Sequence, residues 1–116
     1  MSAKPLNRSL EFNGVHLNLY ELNGKVWLLG SDIGGIIKRD AGYLVRQSPK
    51  LFTSKLAMKC CIANADGSVD KYYRKQRRLM LSITGARMAA AAGASLLDMD
   101  LFHMLASLDD EGKPRK

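Results

Sequence analysis

Val15-His16-Leu17-Asn18-Leu19-Tyr20-Glu21-Leu22, then Asn23-Gly24, then Lys25-Val26-Trp27-Leu28-Leu29 is the stretch from which the rest of the chain is placed. Residues 15, 17 and 19 are apolar at alternate positions, the two-residue period of a strand with one buried face. Asn and Gly tolerate the positive φ that a tight hairpin turn demands, so an Asn-Gly pair between two apolar runs marks a hairpin. The pattern predicts strands over 15–22 and 25–29.

Gly30-Ser31-Asp32 breaks the alternation. Ser31 or Asp32 is positioned to cap a short helix carrying Ile33, Ile36 and Ile37, closed by Lys38-Arg39. Asp40 is placed to cap a second helix through Tyr43, Leu44, Val45 and Arg46, which Ser48-Pro49 ends. Leu56, Met58, Cys60 and Ile62 alternate again, with Lys59 and Cys61 on the opposite face. A turn at 64–67 and a return from Val69 to Ser82 predict a second hairpin, with a bulge or break near 74–78. Thr84 reads as the cap of an Ala-rich helix ended by Gly93, and residues 95–107 as a last helix. Residues 1–8 read as a flexible leader, 9–107 as the domain and 108–116 as a disordered charged tail. The expected fold is a single small α+β domain: two β-hairpins, a helix-turn-helix-like pair and two C-terminal helices.

Composition bounds the rest. The chain has 116 residues, 47% hydrophobic and 25% charged, which suits one domain with its own core. No apolar run reaches the length of a membrane span, and residues 1–8 lack the apolar centre of a signal peptide. The only cysteines, Cys60 and Cys61, are adjacent and cannot staple distant segments; on a strand they read as one core thiol and one half-exposed thiol. A reduced, cytoplasmic compartment is expected.

The charge is polarised. Residues 38–78 carry eleven Lys and Arg against three Asp, a net +8, whereas residues 95–111 carry five carboxylates and no Lys or Arg. Such a basic middle favours an anionic partner. Lys71-Tyr72-Tyr73-Arg74-Lys75-Gln76-Arg77-Arg78 is its densest part, with Tyr72, Arg74 and Arg78 on one strand face and Lys75 and Arg77 on the other. Cations suit phosphates, and Arg adds bidentate geometry toward guanine edges. The competing reading is a solvated hairpin arm whose charges only keep an edge from aggregating. Lys38 and Arg39 stand at the joint of the helix pair and Arg46 on its second helix.

Asn23-Gly24-Lys25-Val26-Trp27 followed by Ser31-Asp32-Ile33-Gly34 resembles the opening of phage KilA-N and BRO-N type domains. Tyr43-Leu44 to Phe52 is similar to the second helix and Phe-bearing turn of that group. Leu79-Met80-Leu81-Ser82-Ile83-Thr84-Gly85-Ala86-Arg87 is similar to its strand and helix start. The resemblance covers about residues 15–92, by pattern more than by an invariant motif. It implies a phage or prophage DNA-binding regulator of antirepressor type. Two departures stand beside it: such proteins usually carry a further C-terminal domain, and Thr53-Ser54-Lys55-Leu56 replaces a Gly-Lys-His-Tyr-like stretch.

These readings combine into one expectation. Duplex DNA is held by the helix pair and the basic hairpin, with Lys38, Lys50, Lys75 and Arg77 on phosphates and Arg46, Arg74 and Arg78 nearer bases. Arg39 and Tyr72 complete the set. The same basic segment would suit RNA. The alternative is a protein-binding inhibitor of a repressor or host defence enzyme, without DNA binding. The apolar residues of the last helix exceed one helical face, and Leu97, Leu101, Phe102 and Met104 are expected at a homodimer or partner interface. No catalytic arrangement, metal ligand set or cofactor motif is read. His16 and His103 lack ligands at metal spacing, Gly34-Gly35 lacks the Lys of a phosphate loop, and no base accompanies the cysteines.

Overall fold

The computed structural model describes residues 2–64, 66, 68, 77–93 and 95–115. The element order is β1 (Ser2–Phe12), β2 (Val15–Leu22), β3 (Lys25–Leu29), α1 (Gly30–Ile37), α2 (Ala41–Gln47), β4 (Ala57–Ile62), β5 (Arg78–Ser82), α3 (Ile83–Ala91) and α4 (Leu96–Ala106). The class is α+β, as read from the sequence. The strands close into a barrel in the order β1-β2-β3-β5-β4. Every pairing is antiparallel except the closing one, where Ser2 and Ala3 of β1 run parallel to Cys61 and Ile62 of β4.

Strand alternation builds two apolar layers. Leu17 and Leu19, Val26 and Leu28, Ala57, and Leu81 share the outer face and pack beneath Ile33, Ile36 and Ile37 of α1, Ala86 and Ala89 of α3, and Leu101 and Leu105 of α4. The opposite face carries Ala3, Tyr20, Leu22, Trp27, Cys60 and Met80, which fill the barrel. Trp27 Nε1–H donates to the Leu22 carbonyl, so the buried indole keeps its hydrogen bond. Both Cys60 and Cys61 are buried, correcting the expectation of one half-exposed thiol, because the start of β1 pairs alongside Cys61.

The leader is corrected to a strand. Residues 2–8 are most of β1, which pairs with β2 on one side and β4 on the other, with a register shift between Pro5 and Ser9. Pro5 and this irregularity erase the alternation that would have revealed a strand. The tail is likewise packed: Leu108 is buried and bridges to Pro114, Val26 N–H donates to the Asp110 carbonyl, and the Arg8 guanidinium donates to the Glu111 carbonyl.

Two of the helix starts differ from the expected caps, by two or three residues at α1 and by two at α3. α1 begins at Gly30 directly after β3, with no side-chain cap, so Ser31 and Asp32 lie inside its first turn. Ser82, not Thr84, caps α3, its Oγ accepting from Gly85 N–H at 2.9 Å. Asp40 caps α2 as read, accepting from Gly42 and Tyr43 N–H. Ser95 and Asp98 cap α4 reciprocally. Among the described residues, no helix is long and apolar enough to cross a membrane.

Candidate functional site

A cleft of about 390 Å³ opens between α1, the turn into α2, and the β4–β5 pair. Arg39, Arg46, Lys59 and Arg78 line it, together with Asp40, Gly30, Ser31, Gly34, Ala41, Gly42 and Leu79. Each cation arrives by a separate local device. Lys38 turns left-handed, with φ 56°, and the N–H of Arg39 returns to the Gly34 carbonyl at 3.1 Å, ending α1 and setting Arg39 at the joint. Arg39 Nη1–H donates to the Ala92 carbonyl at 3.1 Å, tying the joint to the end of α3. The turn folds closely against α1, because a Cβ on Gly34 would stand 2.6 Å from the Arg39 carbonyl oxygen.

Arg46 lies in the last turn of α2. Its side chain reaches back one turn, the direction helical side chains take, so that Nη1 would lie 3.3 Å from a Cβ on Gly42. Lys59 and Arg78 come from neighbouring strands, where Cys60 pairs with Arg78 and Lys59 with Leu79. Among the described residues no carboxylate makes an ion pair with Arg46, Lys59 or Arg78. Unpaired like charges gathered in a concave surface raise the local potential and concentrate anions there.

Behind Arg78 lies a second polar cluster. Asp32 Oδ2 is buried without a hydrogen-bond partner among the described residues, and burial pushes its carboxyl above the ordinary range while the Arg78 charge acts the other way. Tyr20 is pushed up by burial first and then by the Asp32 charge, with Arg78 offsetting. These three groups therefore share one neighbourhood. Burial also pushes the Cys60 thiol up, opposite to the shift that favours a nucleophilic thiolate. Among the described residues no group of three or more His, Cys, Asp or Glu is placed to hold a metal ion.

Arg39, Arg46 and Arg78, singled out in the sequence, are thus brought together. Lys38 lines a neighbouring recess with Ile36, Ile37, Leu97 and Asp98, which Arg39 lines as well. Lys50 and Arg77 are exposed and do not line the cleft. Tyr72, Arg74 and Lys75 lie outside the described residues. Lys59 was missed as a site residue. Its alternation on β4 was readable, but its place opposite Leu79 at the cleft depends on a cross-strand register that the sequence does not specify.

The interface expected on α4 needs correction at Leu101, which is 0% exposed within the chain's own core beside Leu105. Phe102 and Met104 are half-buried against that core, and the Arg87 guanidinium lies 5.9 Å from the centre of the Phe102 ring. Leu97 is exposed, and its exposed apolar neighbours are Leu96 and Met99. No protein-family model, curated protein or solved structure matches the chain.

Proposed function

We propose that the protein is a DNA-binding regulator of phage antirepressor type, which holds duplex DNA at the cleft between α1, α2 and β4–β5. The observation that carries this reading is the cleft itself: Arg39, Arg46, Lys59 and Arg78 line one concave surface, and among the described residues none of the four makes an ion pair with a carboxylate, Arg39 being bonded to the Ala92 carbonyl. The two short helices beside it, joined by residues 38–40, are spaced like a helix-turn-helix. The resemblance to KilA-N and BRO-N type domains points the same way. Arg39, Arg46, Lys59 and Arg78 serve the phosphate backbone, and Arg77 and Lys50 extend the basic face. Action in the cytoplasm of a phage-infected host belongs to the same proposal.

Binding to random duplex DNA, read by fluorescence anisotropy, tests it. With about six phosphates neutralised, log K should fall against log salt with a slope of about −5. The triple variant Arg46→Ala/Lys59→Ala/Arg78→Ala should stay folded and lose binding. Unchanged affinity in that variant would remove the cleft from the assignment.

A second reading is favoured by exposed Leu96, Leu97 and Met99 on α4. There the protein binds a repressor or host protein, or a second copy of itself, through α4. A partner retained after nuclease treatment and lost on Leu96→Ser/Met99→Ser would support it.

A further inference from the structure

We infer that the cleft is a pocket for a phosphate monoester joined to a nucleoside, either the 5′-phosphate end of a nucleic-acid strand or a free nucleotide. The nucleoside part rests on the nucleic-acid reading above, while the phosphate part rests on the cleft alone.

The charge balance favours a monoester. With the Arg39 guanidinium held by the Ala92 carbonyl, Arg46, Lys59 and Arg78 against Asp40 leave the cleft lining with a net +2. An internal diester or a carboxylate contributes one negative charge, whereas a monoester carries about −1.5 to −2 at neutral pH. A monoester also presents three terminal oxygens, and the cations reach the cleft from the α1–α2 turn, from α2 and from the β4–β5 pair. Guanidinium forks suit such a group, because each can donate two parallel hydrogen bonds to neighbouring oxygens.

The size agrees. About 390 Å³ falls near the lower end of the roughly 300–1,000 Å³ typical of small-ligand pockets. That is room for a phosphate and the sugar attached to it. Gly42 keeps the space open: a Cβ there would stand 3.1 Å from Asp40 Oδ1 and 3.3 Å from Arg46 Nη1, between two groups that line the cleft. The half-buried Leu79 side chain supplies an apolar wall for a sugar face.

Two titrations test this on the full chain. Calorimetry compares AMP with adenosine, and anisotropy compares one oligonucleotide bearing either a 5′-phosphate or a 5′-hydroxyl. The expected results are heat for AMP and none for adenosine, and about tenfold or tighter binding of the phosphorylated strand, as charge-assisted hydrogen bonds to an added charge require. Arg46→Ala/Lys59→Ala should abolish both differences while its thermal unfolding matches the parent. Should that variant unfold, Arg46→Lys, which keeps the charge but loses the fork, should shrink both differences. AMP binding without an end preference identifies free nucleotide as the source, and an end preference without AMP binding identifies the strand end. Neither response would overturn the inference, and duplex binding could still stand. Conversely, AMP binding in a protein that ignores duplex DNA would keep the pocket and discard the regulator reading.

Discussion

Gly34 and Gly35 stand side by side in α1 under different constraints. A Cβ on Gly34 would meet the Arg39 carbonyl oxygen at 2.6 Å, whereas nothing lies within 4 Å of one on Gly35. Gly35→Ala should therefore raise stability by up to about 1 kcal/mol, the gain of Ala over Gly inside a helix. Gly34→Ala should lower it by about 1–3 kcal/mol, because the clash is with backbone and outweighs the same helical gain. Gly34→Ala should also weaken anion binding by shifting Arg39, and Gly35→Ala should leave it unchanged. Urea midpoints and DNA titrations of both variants check this, and stabilisation by both alanines would show that the close approach is not needed. In the sequence the two glycines looked alike, a single pair without the Lys of a phosphate loop. What separates them is the return of the chain after Lys38, a tertiary fact with no local signature.

Asp40 joins α2 to the cleft. Its Oδ1 accepts from Gly42 N–H at 2.8 Å and Tyr43 N–H at 3.3 Å, and the same residue lines the cleft. Asp40→Asn keeps a good cap and removes a negative charge, so stability should hold within about 0.5 kcal/mol while DNA binds more tightly. Asp40→Ala loses the cap and should cost about 1 kcal/mol, again with tighter binding. Thermal unfolding and anisotropy run side by side separate the two effects. Weaker binding by Asp40→Asn would make Asp40 an orienting partner of the arginines instead of a competing charge. This cap was legible because an acidic residue followed a basic helix end and preceded a new apolar run. The Asn23-Gly24 hairpin was legible for a similar local reason, and its residues take φ of 54° and 77°. Asn13-Gly14, with φ of 49° and 80°, carries the same signature between β1 and β2. It was passed over because Pro5 and the register shift hide the strand before it. For α1, Ser31 and Asp32 both stood as candidates and neither caps the helix, which starts at Gly30 directly after β3; for α3, Ser82 at the end of β5 caps in place of Thr84.

The whole molecule depends on β1 to close its barrel. β2, β3, β5 and β4 alone would leave β4 an open edge, with unpaired backbone groups beside the filled interior. β1 removes that edge: Ala63 N–H donates to the Ala3 carbonyl at 2.8 Å, and Ala3, 0% exposed, sits with Tyr20, Trp27, Cys60 and Met80. The anion cleft shares the same scaffold, since Lys59 stands on β4 between the closing pair and β5. That is why sequence reading recovered three of its cations but not the fourth: local patterns place Arg39 and Arg46 in the helix pair and Arg78 in the basic run, whereas Lys59 enters only through barrel register. Deleting residues 2–8 should therefore open the interior. Trp27, the single tryptophan, should shift its emission to longer wavelength, and Cys60 and Cys61, buried in the intact chain, should react with a thiol reagent in native buffer. DNA affinity should fall with them as β4 loses its outer support. If the deletion prevents folding altogether, Ala3→Leu is the milder probe, an overpacking change of about 1–3 kcal/mol aimed at the same contact. Protected thiols and an unshifted tryptophan in the shortened chain would mean that four strands and the helices seal the interior without β1.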